Sequence, residues 1–172
     1  MPNWCENIIR IGGESQELLR FVEFVKSEEE PFSFDSIKPM PKELLKVQSP
    51  TTIKTQIEID EYKEAHKDDK WMMESFPITH EMFNEYIHKY GYTNWYDWAN
   101  EMWGTKWDVR DGSVEDMSDG EELIYRFDTA WGPPEPIYHT ITKEFPDLNI
   151  SWFYNEPGME VAGYLHEGVN FA

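Results

Sequence analysis

Cysteine is nearly absent: Cys5 is the one thiol in 172 residues. No internal disulfide can form, and zinc sites built from several cysteines are excluded. A lone thiol suits a reducing compartment. Also missing is any apolar run of the roughly 20 residues that a membrane-spanning helix needs. The opening MPNWCENIIRIGG has neither the basic start nor the apolar stretch of a signal peptide. These absences set the expectation of a soluble cytoplasmic protein with no membrane partner.

Positive charge is scarce as well. Lys and Arg number 15 against 34 Asp and Glu, giving a net charge of −19 and a pI near 4.5. Gripping a phosphate backbone takes Lys and Arg to displace counterions, so no direct nucleic-acid binding is expected. Anionic lipid surfaces are disfavoured for the same reason. The charge leaves open a solubilising surface, a surface for a basic partner, or imitation of the charge of DNA.

Catalytic signatures are missing too. There is no HExxH, no phosphate-loop glycine pattern and no G-x-S-x-G. The acidic stretch DVRDGSVEDMSDGEE lacks the D-x-D-x-D-G spacing and the twelfth-position Glu of an EF-hand. His66, His80, His88, His139 and His166 show no spacing that nominates a base for Cys5. A nucleophilic thiolate also needs an electropositive setting, so Cys5 reads as packing. No catalytic residue, cofactor or metal is expected, and the protein is read as a non-enzyme.

What is abundant is apolar and aromatic: 40% of residues are hydrophobic, 16% are aromatic, and eight are tryptophan. A chain of this size can bury about 68–70% of its unfolded surface, so it needs no staples. Cys5, Asn7, Ile9 and Ile11 alternate with Glu6, Ile8 and Arg10 in the manner of a strand that Gly12-Gly13 ends. Ser15 reads as the cap of a helix whose stripe is Leu18, Phe21, Val22 and Val25. Phe32, Phe34 and Ile37 suggest a short extended segment among prolines. Residues 47–77 are the least legible; TTIKTQIEIDEY suits either a strand or an irregular lid.

Two amphipathic helices follow. Thr79 caps one that Gly91 ends, and Thr93 or Asn94 starts another that runs to Gly104. From Thr105 the period becomes two. Lys106–Arg110 and Leu123–Asp128 read as a strand pair around an acidic turn. A helix fits PIYHTITKEF, with Ile137, Ile141 and Phe145 on one face, and NISWFYNE and EVAGYLHE read as strands around Pro157-Gly158.

The order is β-α, insertion, β-β-α-β, then one further β. This predicts an α+β, ferredoxin-like split β-α-β fold: an antiparallel sheet with two core helices and an extra C-terminal hairpin strand. Residues 1–172 are read as a single domain carrying a large, mainly helical insertion at about 28–104.

The segments MPNWCEN, FSFDSIKPMP, WGTKWD, TAWGPP and YNEPGMEVAGY occur in order across most of the chain. Together they resemble the YubB ferredoxin-like family, whose members are carried largely by plasmids, phages and their host bacteria. The resemblance implies a ferredoxin-like core and an uncharacterised function, with no catalytic residues to carry over. Gly132 stands where family members often show Ser, and glycine is also an acceptable helix cap.

WGTKWD admits two readings. In one, Trp107 packs under a helix while Lys106 and Asp108 pair on the open face. In the other, Lys106 holds an anion and Asp108 orients it. The motif reads first as a junction between insertion and sheet, and its polar members lead the surface-site candidates. These are Lys106, Asp108, Trp103 and Trp107, together with Asn3, Trp4 and Trp131. The functional expectation is an interaction module with a protein partner and a mobile-element origin, its oligomeric state open. The alternatives are an acidic DNA mimic that inhibits a host DNA-binding protein, with Asp111–Glu122 and Glu28–Glu30 on one face, and an anion-binding protein or enzyme using WGTKWD.

Overall fold

The computed structural model describes residues 3–70, 72–117 and 122–166, and the chain divides into two compact units, Met1–Pro39 with Glu101–Ala172, and Met40–Asn100. In the first unit, β1 (Trp4–Gly12), β2 (Ser113–Met117), β3 (Glu122–Ala130), β4 (Asn149–Glu156) and β5 (Val161–Leu165) form one sheet in the order β2-β3-β1-β4-β5. Every neighbouring pair is antiparallel. Helix α1 (Ser15–Val25) follows β1, and α6 (Glu135–Glu144) joins β3 to β4. This interleaves two split β-α-β units, the ferredoxin-like arrangement, with β5 added beside β4.

The inner face of the sheet is built by alternation. Cys5, Asn7, Ile9 and Ile11 are buried on β1, and Trp152 is buried on β4. Leu18, Phe21 and Val25 of α1, with Ile137 and Ile141 of α6, bury the helix stripes of the same unit. At the centre is Phe32, a loop residue with no solvent exposure. Its ring lies 5.0 Å from that of Phe127, 5.4 Å from Tyr125 and 6.1 Å from Trp152. A polar chain crosses this core. The Trp152 indole donates to Asn7 Oδ1 at 3.0 Å, and Asn7 Nδ2 donates to Thr129 Oγ1 at 2.8 Å. These bonds join β4, β1 and β3 in one register, since a slip would strand buried polar atoms.

Several expectations are corrected. Lys106–Arg110 is not a strand; the strand begins at Ser113, inside the stretch read as an acidic turn, and residues 118–121 of that turn lie outside the described residues. Phe34–Ile37 forms a one-turn helix, α2, rather than an extended segment. Glu14, not Ser15, occupies the cap position of α1. Residues 31–39 belong to the first unit, because Phe32 and Phe34 fill the core.

The second unit carries a 3-10 turn (Leu44–Lys46), α3 (Gln56–Ala65), α4 (His80–Tyr90) and the start of α5 (Trp95–Met102). Helix α3 replaces the strand or lid expected there. It begins at a capping box, in which Thr55 accepts from the Glu58 amide and the Glu58 carboxylate accepts from the Thr55 amide. Parallel bridges Val47–Phe76 and Ile53–Ile78 tie the loops of this unit together. Among the described residues, no helix is long and apolar enough to cross a membrane.

Candidate functional site

The motif WGTKWD sits at the end of α5, and each of its residues has a distinct position. Trp103 is buried, 5% exposed; its indole donates to the Lys38 carbonyl at 2.9 Å, and its ring lies 6.0 Å from Phe34. Its place as a surface candidate is therefore corrected: it anchors the motif to the core. Gly104 turns the chain with φ of 82°, and a Cβ there would sit 2.8 Å from Pro136 Cδ. The Thr105 hydroxyl exchanges hydrogen bonds of 3.2 Å with the carbonyl and amide of Ala130, pinning the loop to the end of β3.

Lys106 and Asp108 do not pair with each other. Lys106 Nζ lies 3.9 Å from the centroid of the Trp107 ring, a cation–π contact. Asp108 is a structural hub. It accepts from Ser33 Oγ at 2.7 Å, from the Phe34 amide at 2.6 Å, from the Asp35 amide at 3.2 Å and from the Val109 amide at 2.7 Å. A carboxylate that receives the free amides at the start of α2 holds the loop against that segment. Trp107 does not pack under a helix: it is 38% exposed, and its ring centroid is 6.0 Å from that of Trp4, which is 49% exposed.

Trp4 and Trp107 head a cleft of about 740 Å³ between the loop and the open face of the sheet. The register sets its layers. Trp4 pairs with Ala130, Glu6 with Asp128, and Ile8 with Arg126, which also pairs with Ser113. Paired residues of an antiparallel sheet share a face, so the cleft runs from aromatic rings, past two carboxylates, to Arg126. Arg110 and Asp111 join the lining from the loop, and Asp111 takes a left-handed φ of 55°. No salt bridge among the described residues joins Glu6, Asp128, Arg110 or Arg126 to any partner. Loss of solvation, and then the charge of Glu6, raise the Asp128 carboxyl above its ordinary range.

Lys106 does not line this cleft, and neither do Asn3 and Trp131. The Asn3 carbonyl accepts from the Trp131 amide at 2.9 Å, and its side chain lies so close to Gly158 that a Cβ there would sit 2.4 Å from Nδ2. Trp131 is 49% exposed and takes a φ of 75°, a left-handed backbone unusual for a bulky residue. The sequence nominated Trp4, Trp107 and Asp108 but missed Glu6, Asp128, Arg110 and Arg126. Glu6, Arg126 and Asp128 alternate with core residues along their strands, yet no local pattern sets the register that places Glu6 opposite Asp128.

Cys5 is fully buried, and burial pushes its thiol up to about 11, with Glu156 and Asp128 adding repulsion. That environment keeps the thiol protonated and unreactive. No group of three or more His, Cys, Asp or Glu side chains among the described residues is gathered to hold a metal ion.

Residues 102–167, from the end of α5 through β5, match the family described as a ferredoxin-like domain in Api92-like protein. A crystal structure of a protein api92 from Yersinia pseudotuberculosis is similar at 15% identity and a TM-score of 0.48, covering 95% of this chain and 93% of that one. No curated protein matches the chain.

Proposed function

We propose that this protein is a non-enzymatic interaction module that engages a partner protein through the cleft headed by Trp4 and Trp107. The observation that carries the reading is the exposed, mutually packed indole pair beside Glu6, Asp128, Arg110 and Arg126, which form no salt bridge among the described residues. Exposed aromatics around a concavity with unmatched charge are the anatomy of an interaction hot spot. The non-enzymatic part rests on the roles of the candidate residues: Asp108 is engaged by four donors, Lys106 by an indole, and Cys5 is sealed in the core. Kinship with the YubB family, and with it a plasmid or phage origin, belongs to this proposal and suggests a host protein as partner.

The decisive experiment compares the proteins retained by the wild-type chain with those retained by Trp4→Ala and Trp107→Ala. A partner held by the wild type and released by both variants is the expected result. Retention unchanged in both variants would overturn the reading.

A DNA-mimic reading draws on one specific observation. Glu28, Glu29, Glu30, Asp35, Asp108 and Asp111 gather around one surface depression. Two of these carboxylates are engaged by the fold, however. Asp108 is the hub above, and Glu30 accepts from the Asp111 amide at 2.9 Å and the Gly112 amide at 3.0 Å. Mimicry needs carboxylates free to face a basic cleft, which favours the interaction module. Competition with DNA for a nucleoid or restriction protein at low salt would reverse that preference.

A further inference from the structure

Within the sheet, Glu6 and Asp128 break a rule. They stand directly opposite each other on adjacent strands, where like charges repel. Two arginines, Arg110 and Arg126, line the same cleft, yet no salt bridge among the described residues joins them to those carboxylates. Local conflicts without compensation inside a fold collect at functional sites. The charges are also ordered. Trp4 lies at one end, the carboxylates of Glu6 and Asp128 lie one same-face step along the sheet, and Arg126 lies one step further.

Successive residues on one face of a strand are about 7 Å apart. The carboxylate layer and Arg126 are therefore separated by the distance between residues i and i+2 of an extended chain. The rings add to the cationic end, since exposed indoles attract ammonium and guanidinium groups, as Lys106 already demonstrates on Trp107. The arginine end suits a carboxylate, which a guanidinium can bind through two parallel hydrogen bonds.

We propose that the cleft takes an extended segment of a partner protein carrying a basic and an acidic side chain two residues apart, the basic one between Trp4 and the Glu6–Asp128 pair, the acidic one at Arg126 and Arg110. This rests on the interaction reading above and specifies its ligand. A purely basic segment would leave the arginines facing like charge, and a purely acidic one would meet Glu6 and Asp128.

The experiment titrates capped pentapeptides into the full chain and follows the indole N–H signals of Trp4 and Trp107, assigned with Trp4→Phe and Trp107→Phe. The peptides are Ala-Lys-Ala-Glu-Ala, Ala-Lys-Ala-Lys-Ala and Ala-Glu-Ala-Glu-Ala. The mixed peptide is expected to bind about tenfold more tightly than either same-sign peptide, the scale of one partly desolvated charge contact. Arg126→Glu is expected to transfer the preference to the Lys-Ala-Lys peptide. Should that variant fold poorly, Arg110→Glu reverses the other arginine on the loop.

Three results overturn the proposal: equal binding of Lys-Ala-Lys and the mixed peptide to the wild type, unmoved indole signals with all three, or 6-aminohexanoate displacing the mixed peptide at equal concentration, which would make the occupant a small zwitterion. All three leave the interaction reading intact if Trp4→Ala and Trp107→Ala still release a partner, so the two failures are distinguishable.

Discussion

Cys5 and Asp128 lie on β1 and β3, and both titrate away from their ordinary values with consequences of definite sign. Cys5 moves from 9.0 to about 11 because burial opposes the thiolate. The unfolded chain therefore loses this proton first, and stability falls as pH rises from 9 toward 11. Denaturant melts should show the wild type losing up to about 2 kcal/mol across that window relative to Cys5→Ala. Taking the difference between the two proteins removes the background from lysines and tyrosines, including buried Tyr125, whose phenol is raised in the same direction. Equal slopes would mean that the thiol is solvated. For Asp128 the raised value means that the native state keeps a proton longer than the unfolded chain does. Its destabilising contribution is relieved as pH falls through the native value. Asp128→Asn removes a partly desolvated charge and its repulsion with Glu6 at neutral pH, and should stabilise the protein by no more than about 1 kcal/mol, since the residue is still exposed overall. It should also weaken the mixed-charge peptide, whereas a structural carboxylate would show the opposite sign in the melt. Those two results together would show stability traded for binding at the proposed cleft.

At the scale of elements, the loop 104–112 decides where the site stands, and Asp108 decides where the loop stands. Asp108→Ala leaves the amides of Phe34, Asp35 and Val109 and the Ser33 hydroxyl without their acceptor. Charged hydrogen bonds of this kind contribute about 1.5–3 kcal/mol each and do not add. A total loss of roughly 2–4 kcal/mol in a denaturant melt is expected, with Trp107 released from Trp4. A loss within a few tenths of a kcal/mol would show that the loop is held elsewhere. The same elements mark what the sequence could tell. Long periodic segments were legible: β1, α1, α4, β3, α6, β4 and β5 stand where alternation or helical spacing put them, and so does the ferredoxin-like strand order. The segments at 34–37, 56–65 and 106–117 were not. TQIEIDEY alternates like a strand, yet Thr55 and Glu58 cap it as a helix, and only one residue of that helix, Ile59, is buried. Lys106–Arg110 also alternates, but Asp108 binds the amides of Phe34 and Asp35, 74 and 73 residues earlier in the chain, a contact that no local pattern encodes. The cleft was half legible for the same reason: the faces follow from alternation, while cross-strand register follows from the buried Trp152–Asn7–Thr129 chain.

For the whole molecule the governing quantity is charge. With a net charge of −19, self-repulsion opposes the compact state. The six ion pairs among the described residues do little against it, because every partner is at least a third exposed and such pairs contribute about 0–1 kcal/mol. Salt weakens both terms. The screening length shrinks from about 30 Å at 0.01 M to about 8 Å at 0.15 M, which suppresses the long-range repulsion far more than contacts of a few ångströms. The thermal midpoint should therefore rise with added sodium chloride over this range, by about 2–4 °C if the relief is near 1 kcal/mol. A falling midpoint would show that specific ion pairs outweigh the repulsion. Binding at the Trp4–Trp107 cleft should respond in the opposite direction, because its attraction to a charged partner is screened by the same ions. Measured together, the two titrations separate the roles of the acidic surface. If salt stabilises the fold while weakening the mixed-charge peptide only modestly, the surface charge is chiefly solubilising and recognition is local to the cleft. If the partner's affinity collapses steeply while the pentapeptide's does not, the wider acidic surface takes part in docking beyond the cleft.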